Sequence, residues 1–303
     1  MQIPVFQDER GNTIIGDISK QRNFNISCEF GGGGNNIVFF AGSSIGVNVE
    51  FHGSSGLLFV GDNIQLYTFY GKQHIVVGDS SVCYMDRNTT ANGLFIVSGE
   101  GKNIILGRDC MLSWDIELWN TDGHFIFDAL DDQVLSNGQS VYVGDHIWLA
   151  RRTTFLKDAF IASGSVIGRD SVAIRGGKFF SNAIYAGKPC KQIKENIFWL
   201  VDATSKWNSR INSNPKVHNS DSFKYQFEAD NFLNPELIEA QLNSFDNPLD
   251  KLRFLYDYLY CNTNKNRFAL FKDSNFVESK LYCDNIGSFD RLNFLPMQQV
   301  RFS

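Results

Sequence analysis

One histidine lies among residue types that proton transfer requires. His124 is part of the segment TDGHFIFD, Thr121–Asp128, with a carboxylate on either side at Asp122 and Asp128. An imidazole has a pKa of about 6.5 and can accept a hydroxyl proton at neutral pH. Either carboxylate could orient the ring through a hydrogen bond, and Asp122 could equally cap the turn. The segment predicts a general base, with an ordinary surface histidine as the alternative.

Short aliphatic runs that end in a small residue surround this segment and must position it. The five runs are Phe39–Gly42, Leu58–Gly61, Ile75–Gly78, Ile104–Gly107 and Val141–Gly144, and the series of small positions continues to Ala162. Three of the intervals between successive small positions are similar, and the two that end at Gly107 and Gly144 are much longer. The underlying step is three hexapeptides, or about 18 residues, with insertions inside the two long intervals.

Within that step the sequence repeats at every sixth position. The apolar residues at this spacing are Val143, Leu149, Phe155, Ile161, Ile167 and Ala173. An α-helix does not repeat at six, and plain alternation would not select every third even position. A hexapeptide with two inward side chains forms one flat face of a triangular coil, and three faces complete the step. The repeat predicts a mainly β fold, a parallel β-solenoid.

The repeat is interrupted where His124 lies. Inward positions keep the hexapeptide step up to Leu118, after which the chain is irregular until Val141. A loop must therefore leave the solenoid, with His124 at its root. The segment GDHIW, Gly144–Trp148, then reopens the coils. Because the interval from His124 to Trp148 equals a coil plus a loop, we expect both side chains on one side of the solenoid.

Three motifs in this frame resemble the hexapeptide-repeat acyltransferases. They are S-W-x7-D-G-H-x-I-x-D ending at Asp128, GDHIW at Gly144–Trp148, and NAIYAGKPCKQIK at Asn182–Lys194. The resemblance covers roughly residues 35–195 and favours the galactoside and capsular-polysaccharide O-acetyltransferase branch. It implies a left-handed β-helix with an inserted loop, acetyl-CoA as the donor and a sugar hydroxyl as the acceptor.

The same resemblance implies roles for residues of the site. His124 occupies the family's general-base position, for direct attack in a ternary complex. Trp148 matches the family tryptophan near the thioester, where its ring can pack the pantetheine arm and limit the access of water. His146 could contact acceptor or donor, and a solvent-facing coil residue is the alternative.

The resemblance implies two groups of residues that would bind the cofactor. The predicted residues are Ala150, Arg151 and Arg169, after the tryptophan and along the last coils, and Arg175, Lys191 and Lys194, near the end of the coils. The first group would offer backbone contacts to the pantetheine, since two of its members are large and charged. The second group would meet the CoA phosphates, with a solvated surface charge as the alternative for each lysine.

The composition argues against several other classes of protein. A net charge of −5 disfavours attraction to nucleic acid or to an anionic membrane. The polar start MQIPVFQDER and the lack of a long apolar run predict neither a signal peptide nor a transmembrane segment. Six cysteines without a CxxC cluster favour a reduced cytoplasmic location. A zinc site of this fold would need three histidine ligands, and only His124 and His146 lie near each other in sequence, so no metal is expected.

The last hundred residues differ from the rest in composition and in predicted secondary structure. Almost all of the 26 glycines precede Cys190, which predicts a β-helix domain at 1–205 and a partly helical, aromatic-rich region at 206–303. Asn234 and Asn247, each followed by proline, predict two helix starts. The second helix carries a stripe formed by Leu249, Leu252, Leu255 and Leu259. We expect this region to pack on the C-terminal end of the coils, and its aromatic residues could extend an acceptor groove.

Together these features predict a cytoplasmic acetyl-CoA-dependent O-acetyltransferase. Its acceptor would be a hydroxyl of a bacterial surface (capsular) polysaccharide or its precursor. The resemblance also implies a homotrimer with active sites between neighbouring subunits. Two alternatives stay open: an N-acetyltransferase acting on a nucleotide-linked amino sugar, and a non-enzymatic solenoid adaptor.

Overall fold

The fold is described from a computed structural model. The structure describes residues 2–28, 33–68, 73–201, 221–275, 280–281 and 283–302. The predicted boundary between residues 205 and 206 lies outside these ranges.

Short strands dominate the described residues. In the first half they are β1 Gln2–Ile3, β2 Val5–Gln7, β3 Thr13–Ile15, β4 Gln21–Arg22, β5 Asn25–Cys28, β6 Ile37–Phe40, β7 Ser44–Ile45, β8 Asn48–His52, β9 Leu57–Val60, β10 Ile64–Leu66, β11 His74–Gly78, β12 Val82–Met85, β13 Thr90–Ala91 and β14 Leu94–Ser98. The later strands are β15 Asn103–Leu106, β16 Met111–Leu112, β17 Ile116–Trp119, β18 Val141–Val143, β19 Trp148–Leu149, β20 Thr154–Phe155, β21 Phe160–Ile161, β22 Val166–Ile167, β23 Val172–Ala173, β24 Lys178–Phe179, β25 Ile184–Ala186, β26 Lys191–Lys194, β27 Asn293–Phe294 and β28 Gln298–Gln299.

Helices occur mainly near the C-terminus of the described chain. They are α1 Pro235–Asn243, α2 Pro248–Phe254, a π-helix Leu255–Tyr260 that continues α2, and 3-10 turns at Ile18–Lys20, Asp221–Phe223 and Phe289–Arg291. Within the described residues, no helix is long and apolar enough to cross a membrane.

The strands form three parallel sheets, which are the faces of a triangular solenoid. Face I runs from β3 through β6, β9, β12, β15, β18 and β21 to β24. Face II runs from β4 through β7, β10, β13, β16, β19 and β22 to β25, with β26 added antiparallel, and face III runs from β5 through β8, β11, β14, β17 and β20 to β23. The chain visits faces I, II and III in turn, which confirms the predicted solenoid.

The hexapeptide pattern identified the inward side chains correctly. All six predicted apolar positions are buried in the solenoid core: Val143, Leu149, Phe155, Ile161, Ile167 and Ala173. One of the aliphatic runs was assigned to the wrong series, however. Ile75–Gly78 belongs to β11 on face III, and the run that continues face I after β9 is β12, Val82–Met85.

The C-terminal region covers face I rather than the end of the coils. Outward side chains of face I form a second core with residues after position 230; the face I members include Phe39, Phe59, Tyr84, Ile105 and Tyr142. Near the other end of the solenoid, β27 pairs with β1 and β28 pairs with β2. Because both sides of face I are buried, its strands are continuous apolar runs. Among the residues of this region that the structure describes, the packing is along face I and not over the last coil as expected.

Both predicted helix starts are confirmed. The Asn234 side chain accepts the backbone N–H of Glu236, and the Asn247 side chain accepts that of Asp250, each at 2.9 Å. These bonds satisfy N–H groups that the first helical turn leaves free. The second helix then directs three of its four stripe leucines against face I, whereas Leu249 stays 39% exposed.

Two leucines of that stripe give a matched test of the packing. Leu259 is fully buried, so Leu259→Ala should lower the free energy of unfolding by about 2–5 kcal/mol. Leu249→Ala, the control on the same stripe, should change it by less than about 0.5 kcal/mol. Urea denaturation measures both, and equal effects would contradict the packing of this helix on face I.

Candidate active site

The loop that carries His124 leaves the solenoid at the corner between faces III and I. It connects β17 to β18, and its ends are joined where the backbone N–H of Gln139 donates to the Asn120 carbonyl oxygen at 3.0 Å. Phe127 and Val134 form an isolated antiparallel bridge within it. His124 is exposed, and among the described residues its side chain makes no hydrogen bond or ion pair. The imidazole is therefore open to an incoming ligand.

Neither candidate carboxylate is bonded to His124 in this chain. Asp122 forms an ion pair with Lys157, from the next turn at the same corner. Asp128 instead stabilises its own turn, because its carboxylate accepts the backbone N–H of Leu130 at 2.7 Å. The prediction that one of them orients the imidazole therefore has no supporting contact here.

Trp148 lies on another part of the solenoid. It begins β19 on face II, is 37% exposed and packs beside Trp199, with ring centroids 5.9 Å apart. His124 lies at the III–I corner, so the solenoid separates the two side chains within one chain. The expectation that His124 and Trp148 share one side of the same solenoid is wrong.

His146 is buried at the corner between faces I and II. Its ring stacks on Trp199, with centroids 4.0 Å apart and an interplanar angle of 8°. Its Nε2–H donates to the Trp199 carbonyl oxygen, and the indole N–H donates to the His146 carbonyl oxygen, each at 3.0 Å. Burial lowers the pKa of His146, because the charged form loses hydration. This histidine is neither solvent-facing nor open to a substrate, so its contacts are those of a structural residue.

A signal for this role of His146 was present in the sequence. Corner residues in the left-handed conformation recur at equivalent places in successive coils, at Asn63, Asn88, Asp109 and His146. The backbone N–H of each of the last three donates to a carbonyl oxygen of the preceding coil. Asparagine and aspartate adopt this conformation more readily than most residues, so they mark the column that His146 continues.

The residue before His146 belongs to a buried ionic network that sequence analysis missed. Nε and Nη2 of the fully buried Arg267 each lie 2.7 Å from an oxygen of Asp145, and Nη2 lies 2.5 Å from Oδ2 of Asp86. Burial alone would raise the pKa of Asp145, but Arg267 and Arg108 outweigh it and lower that pKa below its ordinary value of 3.8. The network thus joins the C-terminal region to the turn that precedes Trp148.

The structure disperses the predicted cofactor residues. Ala150 donates its backbone N–H to the Ile167 carbonyl oxygen at 2.9 Å, so that group is not available to a ligand. At the corner between faces II and III, Arg151 pairs with Asp115 at 3.4 Å and Arg169 with Asp170 at 3.2 Å.

The three basic residues predicted near the end of the coils also separate. Lys191 and Lys194 lie in β26 on face II and are exposed. Arg175 is exposed in the turn between β23 and β24, at the III–I corner. The structure therefore groups the two lysines with the face of Trp148 and leaves Arg175 on the side of His124.

One line of outward positions on face II links Trp148 to these lysines. Trp148 pairs with Val166, Val166 with Ile184, and Ile184 with Lys194. Neighbouring strands are about 4.8 Å apart, so the three steps span roughly 14 Å. Among the described residues, no group of three or more His, Cys, Asp or Glu side chains could hold a metal ion.

Known proteins resemble this chain in sequence and in fold. No protein-family model matches the chain. The chain is 32% identical over 169 residues to the polysialic acid O-acetyltransferase of Neisseria meningitidis, which covers 55% of this chain and 76% of that protein. It is 28% identical over 128 residues to the polysialic acid O-acetyltransferase of Escherichia coli O1:K1, covering 42% of this chain and 41% of that one.

A solved structure shows the same fold. The polySia-specific acetyltransferase NeuO superposes with a TM-score of 0.54 at 24% identity, covering 71% of this chain and 95% of that chain. The predicted left-handed β-helix of the hexapeptide-repeat acyltransferases is thus confirmed. With the identity to the Neisseria enzyme, this fold assigns the class: the chain is an acyltransferase. It belongs to the hexapeptide-repeat O-acetyltransferase family that includes the Neisseria meningitidis enzyme.

The buried arginine offers a direct stability test. Arg267→Met removes the buried guanidinium that bridges Asp86 and Asp145, so the free energy of unfolding should fall by about 3–5 kcal/mol. Arg253→Met, which removes a surface arginine paired with Asp250 and Asp290, should cost at most about 1 kcal/mol. Chemical denaturation of both variants makes the comparison, and equal costs would contradict the role of the network.

The pH dependence of stability provides a second readout of the same network. The pKa of Asp145 is lower in the folded protein, so its stabilising contribution is complete above 3.8 and is lost as the pH falls through the folded value. This loss should be smaller in Arg267→Met. An unchanged acid profile would show that Arg267 does not hold the pKa down.

Proposed function

We propose that this protein transfers acetyl from acetyl-CoA to a hydroxyl group of a bacterial surface polysaccharide or its precursor. The observation that carries the proposal is the exposed imidazole of His124, in the loop between β17 and β18. It has no side-chain partner among the described residues, and the chain belongs to an acetyltransferase family. Both relatives described above are named for O-acetylation of a polysaccharide. The same class of acceptor is therefore the one we infer here.

His124 has the properties that direct transfer needs. The imidazole accepts the proton of the acceptor hydroxyl while that oxygen attacks the thioester carbonyl carbon. A carbon–oxygen bond forms and the carbon–sulfur bond breaks. The departing sulfur then takes the proton from the imidazolium, so the base is regenerated. Buried Cys110, whose thiol pKa is raised by burial, is not available as a nucleophile.

Face II is the surface we propose for the donor. The line from Trp148 through Val166 and Ile184 to Lys194 is apolar at one end and basic at the other. A pantetheine arm suits the apolar part, with the thioester beside Trp148. Lys191 and Lys194 would meet the phosphates. Arg175 has no place in this arrangement, because it lies at the III–I corner.

We propose that copies of the chain share each active site, in a homotrimer. One chain holds His124 and Trp148 on different sides of its solenoid, so a neighbouring copy must supply one of them. The His124 loop also exposes large apolar side chains, including Phe125 at 76% and Leu130 at 96%, which an interface with another copy would bury.

The cellular location we propose is the cytoplasm. Acetyl-CoA is a cytoplasmic metabolite, and a protein that consumes it needs access to that pool. All five cysteines whose side chains the structure describes are free thiols: Cys83, Cys110, Cys190, Cys261 and Cys283. Unpaired thiols suit a reducing compartment.

The proposed function is tested by acetyl transfer to purified capsular polysaccharides. We expect CoA release that depends on the acceptor, and a product that loses acetate in mild alkali, because an ester is labile where an amide is not. His124→Ala should lower kcat roughly 10²- to 10⁴-fold with the fold intact. Gln133→Ala, an exposed position in the same loop, is the control.

Three outcomes would count against this function. An alkali-stable product would favour the N-acetyltransferase, and no transfer to any glycan would favour the adaptor. Near-normal turnover by His124→Ala would contradict the assigned base.

The shared site is tested by combining two variants that we expect to be inactive, one without the base His124 and one without the ring of Trp148 beside the thioester. Co-expressed His124→Ala and Trp148→Ala chains should recover about one quarter of the wild-type sites at equal mixing, because each site takes its histidine and its tryptophan from different copies. Mixing either variant with itself is the control. If the mixed oligomer stays as inactive as both parents, each site lies within a single chain.

A further inference from the structure

The loop that carries His124 lies between two regular corners of the solenoid. In the preceding coil, the chain passes from face III to face I through the short turn between β14 and β15, which contains Glu100. In the following coil, Lys157 lies in the equivalent turn between β20 and β21. Side chains of both turns contact the loop near its root, so the neighbouring coils help to determine how the base is held.

Glu100 joins the two ends of the loop. The Thr121 hydroxyl, on the outgoing side, donates to Oε1 of its carboxylate. The backbone N–H of Gly138, on the returning side, donates to Oε2 at 2.6 Å. Lys157 differs from Glu100, because its ion pair with Asp122 is made to the outgoing side. Hydrogen bonds to an ionised carboxylate are stronger than those between neutral groups, so Glu100 is a firm link between the ends.

The backbone at Gly138 is suited to this link. Gly138 is buried, and a Cβ added there would lie 3.0 Å from both Cβ and Oε2 of Glu100. A larger residue would therefore press against the carboxylate that accepts the N–H. Glycine lets the side chain of Glu100 approach the backbone closely.

The link continues from Thr121 to His124. The hydroxyl oxygen of Thr121, which donates to Glu100, also accepts the backbone N–H of Gly123 at 3.1 Å. A threonine hydroxyl that bonds the backbone two residues on stabilises a tight turn. His124 is the next residue after Gly123, so the direction in which the chain presents the imidazole depends on where the Thr121 hydroxyl is held.

The root of the loop is fixed separately, by a buried asparagine. The Asn120 side chain is fully buried, and its Oδ1 accepts the backbone N–H of Gly99 at 2.8 Å. Its carbonyl oxygen accepts the N–H of Gln139 at 3.0 Å. Neither contact involves the carboxylate of Glu100, so the coil stays closed when that carboxylate is removed. The carboxylate therefore acts on the part of the loop between the root and the base.

From these contacts we propose that Glu100 is a positioning residue for the base. By linking Thr121 to Gly138, it holds His124 where the imidazole meets the acceptor hydroxyl. This inference rests on the proposed function and adds to it a residue that acts through the loop. Displacement of a reacting group by 1 Å can cost about 10²-fold in rate. Loss of the link should therefore lower kcat and leave the proposed donor surface on face II unchanged.

The first test examines the loop without any substrate. Hydrogen exchange of the full-length protein, followed by mass spectrometry, measures the protection of the Gly138 amide. Glu100→Ala should speed its exchange by about tenfold or more, because the N–H loses its acceptor. Glu9→Ala, which changes an exposed glutamate in the turn between β2 and β3, is the control and should not. Unchanged exchange in Glu100→Ala would overturn the link, whatever the activity of the enzyme.

The second test measures transfer to a polysaccharide that the wild-type protein acetylates. Glu100→Ala should lower kcat by about tenfold or more, with KM for acetyl-CoA within about twofold of the wild-type value. Thr121→Val, which removes the hydroxyl, should have a similar effect, whereas Thr121→Ser should keep about half of the wild-type kcat or more.

Glu100→Gln is the conservative variant that separates hydrogen bonding from charge. Its amide oxygen can accept the N–H of Gly138, and its NH₂ group can donate to the Thr121 hydroxyl oxygen. It should therefore retain about half of the wild-type kcat or more. A Gln variant as slow as Glu100→Ala would overturn the proposed link.

Two further results would overturn the positioning role. One is a normal kcat in Glu100→Ala, and the other is a lower melting temperature with an unchanged kcat per folded molecule. Absence of transfer by the wild-type protein to every glycan would instead overturn the proposed function. The exchange measurement then still decides whether Glu100 holds the loop.

Discussion

The buried guanidinium of Arg267 holds the two parts of this structure together. It bridges Asp86 and Asp145, carboxylates that follow strands of face I two coils apart, and its Nη1 also donates to the Leu259 carbonyl oxygen. Loss of a partner from a buried charge is costly, and removal of the C-terminal region would leave Asp86 to Arg87 and Tyr84, and Asp145 to Arg108. Gly107 makes room for the network, because an added Cβ would lie 2.5 Å from Asp145 Oδ1.

The consequences of that bridge extend to the candidate site. Asp145 is followed by His146, whose ring is fixed beneath Trp199, and by Trp148 on face II. Covering of face I by the C-terminal region leaves other surfaces for chemistry. The proposed donor surface is face II, and the loop that carries His124 lies at the III–I corner. This division of surfaces is the physical reason for expecting a site shared between copies.

The sequence predicted the solenoid and the loop well, because both depend on local spacing. Tyr142 and Phe160 pair across a coil of three complete hexapeptides, where the repeat is clear. Earlier pairs on face I, Ile37 with Leu57 and Leu57 with Val82, are separated by longer coils, so the period is obscured there. An apolar run also indicates burial without indicating which face it joins. That is why the run ending at Gly78 was misplaced.

Other features depend on contacts that no local pattern reveals. Arg267 and Asp145 are far apart in the sequence, and so are the apolar residues of face I and of the C-terminal region that pack together around their pair. The central claim, that face II of one copy and His124 of another form the site, is tested most directly by a crystal structure with CoA bound. We predict the pantetheine along face II between Trp148 and Ile184, with its thiol beside His124 of a neighbouring copy. A CoA molecule whose thiol lies beside His124 of the same chain, or away from face II, would contradict this arrangement.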